Sequence, residues 1–253
     1  MKLKTFIINL EKSTVRKQYM KNLLSQYDFL DIEFMKAIDG RLLSEEERRS
    51  RFNLERSVSL YGKDINAGEV GCALSHRKAY SELLKSQAPY ALILEDDISV
   101  IRDLNALDIK GIDQEMKTGE PKALMLSGDY WYYKKKSIVR LFTAAGAYAY
   151  IVNRAAAANI LAMDPPCCLA DDWTFYRRNG LKLYAVNPYM IDANMQMDLL
   201  SSDVKQDSWT IDRSRMSKKE VIVGYVVGII KRLFKALHHF ESKVRVIDNV
   251  IVE

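Results

Sequence analysis

Five apolar residues in a row, Tyr90-Ala91-Leu92-Ile93-Leu94, stop without transition at Glu95-Asp96-Asp97. No other feature constrains the fold so tightly. The run is too short for a core helix, and its unbroken apolar character suits a strand buried on both faces, as in a parallel sheet covered by helices. Three acids then fall at the strand's carboxyl tip. In open α/β sheets this is the edge at which ligands bind.

The rest of the chain repeats the alternation. Strands are expected at residues 4–10, 32–38, 123–126, 147–152 and 181–186, with helices at 13–27, 68–87 and 153–163. Ser44-Glu45-Glu46-Glu47 reads as a capped, acidic helix start. The fold class is therefore α/β, a Rossmann-type sheet, and a catalytic domain over residues 1–200 accounts for the whole alternating pattern.

Beyond residue 200 the character changes. Residues 213–245 hold nine Lys/Arg against two Glu, whereas the whole chain of 253 residues carries only +5. The basic excess is thus localised in a patch, which argues against a nucleic-acid-coating surface. Residues 221–230 carry no charge, but ten residues are about half of the ~20 needed to span a bilayer. As a helix, the stretch sets Val226, Ile230, Leu233, Phe234 and Leu237 on one side and Lys231, Lys235 and His239 on another. Residues 201–253 are expected to form a basic amphipathic helical tail suited to an anionic membrane surface; packing on the catalytic domain is the competing expectation.

Three cysteines without CxxC spacing suit a reducing compartment. The start of the chain lacks the long apolar stretch of a signal peptide, so the expected location is cytoplasmic, on the inner face of a membrane. Only His76, His238 and His239 offer imidazoles, so a zinc site built on His and Cys is hard to assemble and carboxylates must supply a metal site. Asp96 and Asp97 at a strand tip are suited to a hard divalent cation that leaves room for phosphate oxygens; solvated loop acids and helix caps use the same pattern.

The triplet does not stand alone. Gly68-Glu69-Val70-Gly71-Cys72-Ala73-Leu74-Ser75-His76 precedes Leu94-Glu95-Asp96-Asp97, and the set extends to Asn9-Leu10, Arg16, Ala37-Ile38-Asp39-Gly40 and Ala145-Gly146-Ala147-Tyr148. Over residues 3–190 this combination resembles glycosyltransferase family 25, the bacterial lipooligosaccharide glycosyltransferases related to collagen-modifying enzymes. The resemblance implies a GT-A-like fold, a UDP-sugar donor carrying galactose or glucose, a Mn2+ or Mg2+ ion, and inversion at the anomeric carbon. It implies Asp97 as the main metal ligand with Asp96 and Glu95 sharing the rest, and Asn9, Arg16, Glu69, His76, Asp96 and Gly146 around the donor. Asp171-Asp172, before Trp173, stand where inverting enzymes of this kind carry a catalytic base, with Asp172 slightly favoured.

Each of these residues also has a plain structural reading. Glu69 at a helix start satisfies the macrodipole, Asp171 or Asp172 suits an N-cap, and Gly146 suits tight packing. Tyr130-Trp131-Tyr132-Tyr133 could stack on sugar rings or cover the core. No histidine lies between His76 and His238 to complete a metal site, leaving Asp192, Asn194, Gln196 or water. The expected activity is hexose transfer to a lipooligosaccharide or lipopolysaccharide core acceptor. A catalytically inactive sugar-nucleotide or glycan-binding protein and a metal-dependent phosphoesterase are the alternatives.

Overall fold

The computed structural model describes residues 2–194, 210–241, 245–247 and 250–252. The leading strands are β1 (Leu3–Asn9), β2 (Leu30–Lys36), β3 (Tyr90–Glu95) and the short β4 (Ile98–Val100), with helices α1 (Thr14–Leu24), α2 (Glu45–Arg51), α3 (Leu54–Tyr61) and α4 (Ala67–Lys85) between them. After α5 (Ile109–Met116) come β5 (Lys122–Met125), β6 (Tyr130–Tyr132), β7 (Ile138–Ala144) and β8 (Ala149–Asn153). The chain continues through α6 (Arg154–Leu161), α7 (Trp173–Arg178), β9 (Lys182–Val186), β10 (Ile191–Ala193), α8 (Lys218–Ala236) and β11 (Phe240–Glu241). Residues 245–247 and 250–252 pair as a separate antiparallel ribbon.

Nine strands form one sheet in the order β11-β6-β7-β9-β5-β8-β3-β1-β2. The α/β class expected from the sequence is what the chain adopts, in mixed form. β1, β2, β3, β5, β6 and β9 run one way, while β7, β8 and β11 run the other. Alternation along β3 divides the interior. Ile93 faces a core with Phe6, Tyr80, Met125, Tyr150 and Trp173, and Leu92 and Leu94 face the opposite one with Ile7, Met20, Leu124 and Ile151. Both faces are sealed by helices, and for that reason Ala91 to Leu94 are fully buried.

The reversed direction of β8 matters for function. Ala149, at its start, pairs with Leu94 at the end of β3, and the Glu95 amide donates to the Tyr148 carbonyl at 2.9 Å. The loop containing Gly146 is thereby delivered to the acidic triplet. A parallel β8 would have put that loop at the far edge.

Local chemistry explains most of the element boundaries. Ser44 and Glu47 form a reciprocal capping box at α2, and Asn66 and Glu69 form another at α4. Gly62 ends α3 with φ +67°, the left-handed closure that glycine tolerates best. The sequence pattern did not reveal β6 and β7, because Tyr130 to Tyr133 looks like an aromatic loop. In the fold Tyr130 and Tyr132 are buried, while Trp131 stacks on Phe240 of β11 with centroids 4.1 Å apart.

The expected boundary near residue 200 lies outside the described residues. The C-terminal helix and strand beyond it are attached to the same sheet. α8 is held by two ion-pair contacts of Arg178 with Glu220, at 2.5 and 2.8 Å, and by Phe234, whose ring meets Tyr133 and Phe142 edge-on. β11 then extends the edge at β6.

Candidate active site

β1 and β3 are in register with Ile8 beside Glu95, so Asn9 and Asp96 emerge side by side at the carboxyl edge. Asn9 Nδ2 donates to Asp96 Oδ2 at 2.6 Å. Arg16, in the first turn of α1, places Nη1 3.0 Å from Asp96 Oδ1 and 3.0 Å from Asp97 Oδ2. Asn9, Arg16 and Asp96 are all buried. Burial pushes the Asp96 carboxyl above the ordinary carboxylate range, and the hydrogen bonds from Asn9 and Arg16 pull against it. Both Asp96 oxygens therefore brace the tip of the sheet from within.

Glu95 points elsewhere. Its Oε1 lies 3.1 Å from His76 Nε2, and His76 Nδ1 lies 2.6 Å from the Tyr150 hydroxyl. Tyr150 is in turn 2.7 Å from the Tyr80 hydroxyl. Every bond in this row is satisfied if Tyr80 donates to Tyr150, Tyr150 donates to Nδ1 and the Nε2 proton faces Glu95. The row begins in the core, where His76, Tyr80 and Tyr150 are almost completely buried. It holds a half-exposed carboxylate in one orientation.

Cys72 lies one helical turn before His76. Its sulfur, a His76 ring nitrogen and a Glu95 oxygen come within 4.8 Å of one another. Burial pushes the Cys72 thiol well up, and the negative charges of Glu95, Asp171, Asp97 and Glu69 add to this in that order. Charges from α4, the β3 tip and the start of α7 are thus all felt at this thiol. The sequence reading that a His and Cys metal site is hard to assemble did not foresee this grouping, although the i, i+4 spacing of Cys72 and His76 was a legible signal.

Asp171 and Asp172 separate into different environments. Asp172 caps α7: Oδ1 accepts from the Phe175 amide at 2.9 Å and Oδ2 from the Tyr61 hydroxyl at 2.8 Å. Asp171 is exposed to solvent, yet enough protein surrounds it that desolvation raises its carboxyl above the usual range. Asp172 and Glu95 raise it further, and the backbone N–H groups of Asp171 and Gly146 oppose them. Gly146 adopts φ +77°, and a Cβ there would meet the Tyr148 ring at 2.6 Å. Its carbonyl accepts from Trp173 Nε1 at 2.7 Å, which locks the loop to the start of α7.

The remaining sequence candidates divide between this edge and other surroundings. Glu69 is committed locally: one oxygen completes the α4 capping box and the other meets Lys63 Nζ at 2.5 Å. Asn194 lies beside the triplet, its amide 2.6 Å from the Asp97 carbonyl. Asp192 sits on β10, paired with Ser99 just after the triplet. Gln196 lies outside the described residues. One face of Trp131 is occupied by Phe240, so this aromatic run is a strand built into the sheet edge.

A divalent cation at the tip of β3 would draw on Glu95 and Asp97, with His76 and Cys72 beside them and Asp96 turned inward on Asn9 and Arg16. The donor chemistry fits such an ion. Carboxylate oxygens suit both Mn2+ and Mg2+, and an adjacent imidazole nitrogen suits Mn2+ better than Mg2+. For His76 to ligate through Nε2 its proton would sit on Nδ1, donating to the Tyr150 hydroxyl 2.6 Å away as the outer-shell bond that orients the ring.

Residues 2–149 match the sequence profile of Glycosyltransferase family 25 (LPS biosynthesis protein). The chain belongs to this family. A family 25 member of Drosophila pseudoobscura pseudoobscura is 27% identical over 170 residues, covering 63% of this chain and 27% of the relative. Procollagen galactosyltransferase 2 of Homo sapiens is 22% identical over 162 residues, covering 54% and 26%. The family 25 chain thus spans about a quarter of the length of these relatives. A solved glycosyltransferase involved in glycosylating the major capsid of PBCV-1 aligns at TM-score 0.41 and 10% identity, over 79% of this chain and 98% of its own.

Proposed function

We propose that the protein is an inverting hexosyltransferase that moves galactose or glucose from a UDP-sugar to a saccharide of a lipooligosaccharide or lipopolysaccharide core, with a divalent cation at the donor diphosphate. The observation that carries this reading is that Glu95 and Asp97 at the tip of β3 and Asp171 before α7 lie at one edge of the sheet, joined through the Gly146 loop, while Asp96 is withheld as a brace. The match to a family described by lipopolysaccharide biosynthesis supports the acceptor class, and the galactosyltransferase name of the human relative supports the hexose.

Inversion needs a carboxylate that takes the acceptor hydroxyl's proton as that oxygen attacks the anomeric carbon from the face opposite the leaving UDP. Asp171 fits this role. It reaches solvent, its carboxyl is raised towards a useful basicity, and it adjoins both Glu95 and the Gly146 loop. The proton moves from the acceptor hydroxyl to Asp171, the new C–O bond forms, and the bond to UDP breaks with its electrons leaving on the diphosphate. A bound cation would supply charge neutralisation for that leaving group, held by Glu95 and Asp97. Asn9 and Arg16 position the tip through Asp96, and the Gly146 loop lets the backbone approach the donor closely.

A screen of UDP-sugars with Mn2+ against truncated lipooligosaccharides, read by product mass, tests donor, acceptor and activity together. Product one hexose heavier than the acceptor is expected. Donor binding without UDP release would instead favour the non-catalytic binding protein, a reading encouraged by the way Arg16 already engages Asp97. Release of inorganic phosphate without sugar transfer would favour the phosphoesterase.

A further inference from the structure

α8 is apolar on two faces, and only one is used. Val223, Val227, Ile230 and Phe234 are partly buried, on the side where Phe234 meets Tyr133 and Phe142. On the adjoining side Ile222, Tyr225, Val226, Ile229, Leu233 and Leu237 lie between 48% and 63% exposed. Their spacing of three and four residues makes one continuous stripe along a helix of 19 residues, about 28 Å long. The structure thus divides the expected apolar side: Ile230 and Phe234 belong to the docked face, and Val226, Leu233 and Leu237 to the open one, which Ile222, Tyr225 and Ile229 complete.

The charges around the open stripe have one sign. Lys218, Lys219, Arg232 and Lys235 are exposed or border it, and none of them makes an ion pair among the described residues. The only acid of the helix, Glu220, faces inward and is consumed by Arg178. A second copy of this stripe would bring like charges together. A protein groove is less favoured than a flat anionic surface that takes up apolar side chains and attracts every flanking cation at once.

We infer that the open face of α8 docks in the plane of an anionic lipid surface while its other face stays packed on the catalytic sheet. Among the described residues no helix is long and apolar enough to cross a membrane, so the helix lies along the surface. The docked face sets the orientation. Arg178 ties α8 to α7, which Asp172 caps, and Lys231 feels both Asp129 and Asp172. The segment bearing the candidate base, at the start of α7, is thereby tied to the lipid-bound helix, where a lipid-linked acceptor would enter; that purpose, though not the attachment, rests on the proposed function.

Flotation of the full chain with phosphatidylcholine vesicles, with and without phosphatidylglycerol, tests attachment independently of catalysis. Binding to the mixed vesicles is expected, weakened at least about tenfold in pure phosphatidylcholine or high salt. Ile229→Glu combined with Leu233→Glu should abolish flotation without lowering the melting temperature. Leu42→Glu, at a site 83% exposed elsewhere, should leave it unchanged. The double variant should still act on short water-soluble acceptors and fail only on vesicle-embedded ones. Equal flotation of parent and double variant would overturn the inference. So would a concentration-dependent dimer that the double variant dissolves, without flotation of the parent. Loss of transfer by the parent on every acceptor would count against the proposed function alone.

Discussion

Asp172 accepts from the Phe175 amide with one carboxylate oxygen and from the Tyr61 hydroxyl with the other, whereas Asp171 keeps its carboxylate exposed beside the Gly146 backbone. Asparagine caps helices about as well as aspartate, so Asp172→Asn should melt near the parent temperature and keep most turnover, while Asp172→Ala should lose about 1 kcal/mol in denaturant unfolding. Asp171→Asn is the opposite case. It should fold normally and lower kcat at least ~100-fold with donor KM little changed, because only the proton acceptor is lost. Full turnover by this variant would place the base elsewhere. The raised carboxyl also fixes a pH sign. The base works deprotonated, so kcat falls as pH drops through its pKa, and this acid limb should lie above the ~3.9 of a free aspartate. The limb should vanish from the residual rate of Asp171→Asn. In the chain both residues were visible as a pair after Pro165-Pro166; which of them caps was not, because an N-cap is defined by backbone geometry that one residue of shift exchanges.

At the level of elements, the motif glycines act by contact. A Cβ on Gly40 would fall 1.8 Å from the Ala67 carbonyl oxygen, and one on Gly71 would fall 2.5 Å from the Gly40 nitrogen. The start of α4 therefore touches the turn after β2 backbone to backbone, and Ser75 Oγ seals the joint by accepting from the Ile38 amide while donating to the Gly71 carbonyl. Gly71→Ala should destabilise the protein by about 3 kcal/mol, the upper range for overpacking, seen as a fall of roughly 6–12 °C in melting temperature. An unchanged Tm would show that α4 can shift. This joint fixes where Cys72 and His76 sit, so the glycines support the site from a distance. Ala37-Ile38-Asp39-Gly40 and Gly68 to His76 were readable as motifs, but two segments some thirty residues apart give no sign that they pack on each other.

Across the whole molecule, Arg16 joins α1 to the β3 tip, and its guanidinium and the Asp96 carboxylate have little access to solvent. Arg16→Ala strands buried negative charge and should cost about 3–5 kcal/mol by denaturant unfolding, with Arg16→Lys milder. A loss under about 1 kcal/mol would mean that water replaces the guanidinium. The C-terminal helix supplies a second comparison: Val227→Asp on the docked face should lower Tm, and Ile229→Asp on the open face should not. Equal losses would mean that both faces are packed.

Short-range physics made a good share of this legible. An apolar run ending in acids marks a buried strand with a polar tip, Ser44 with Glu47 marks a helix start, and a ten-residue uncharged stretch amid lysines marks an amphipathic helix. These rest on periodicity and capping, which involve residues at most a few positions apart. Tertiary structure decided what depends on neighbours far along the chain: the inverted direction of β8 that brings Gly146 to Glu95, the turning of Asp96 onto Asn9 and Arg16, the approach of Cys72 and His76 to the acidic tip, and which side of α8 is covered. Strand order and direction depend on how both faces of the sheet are buried together, and no local pattern carries that information.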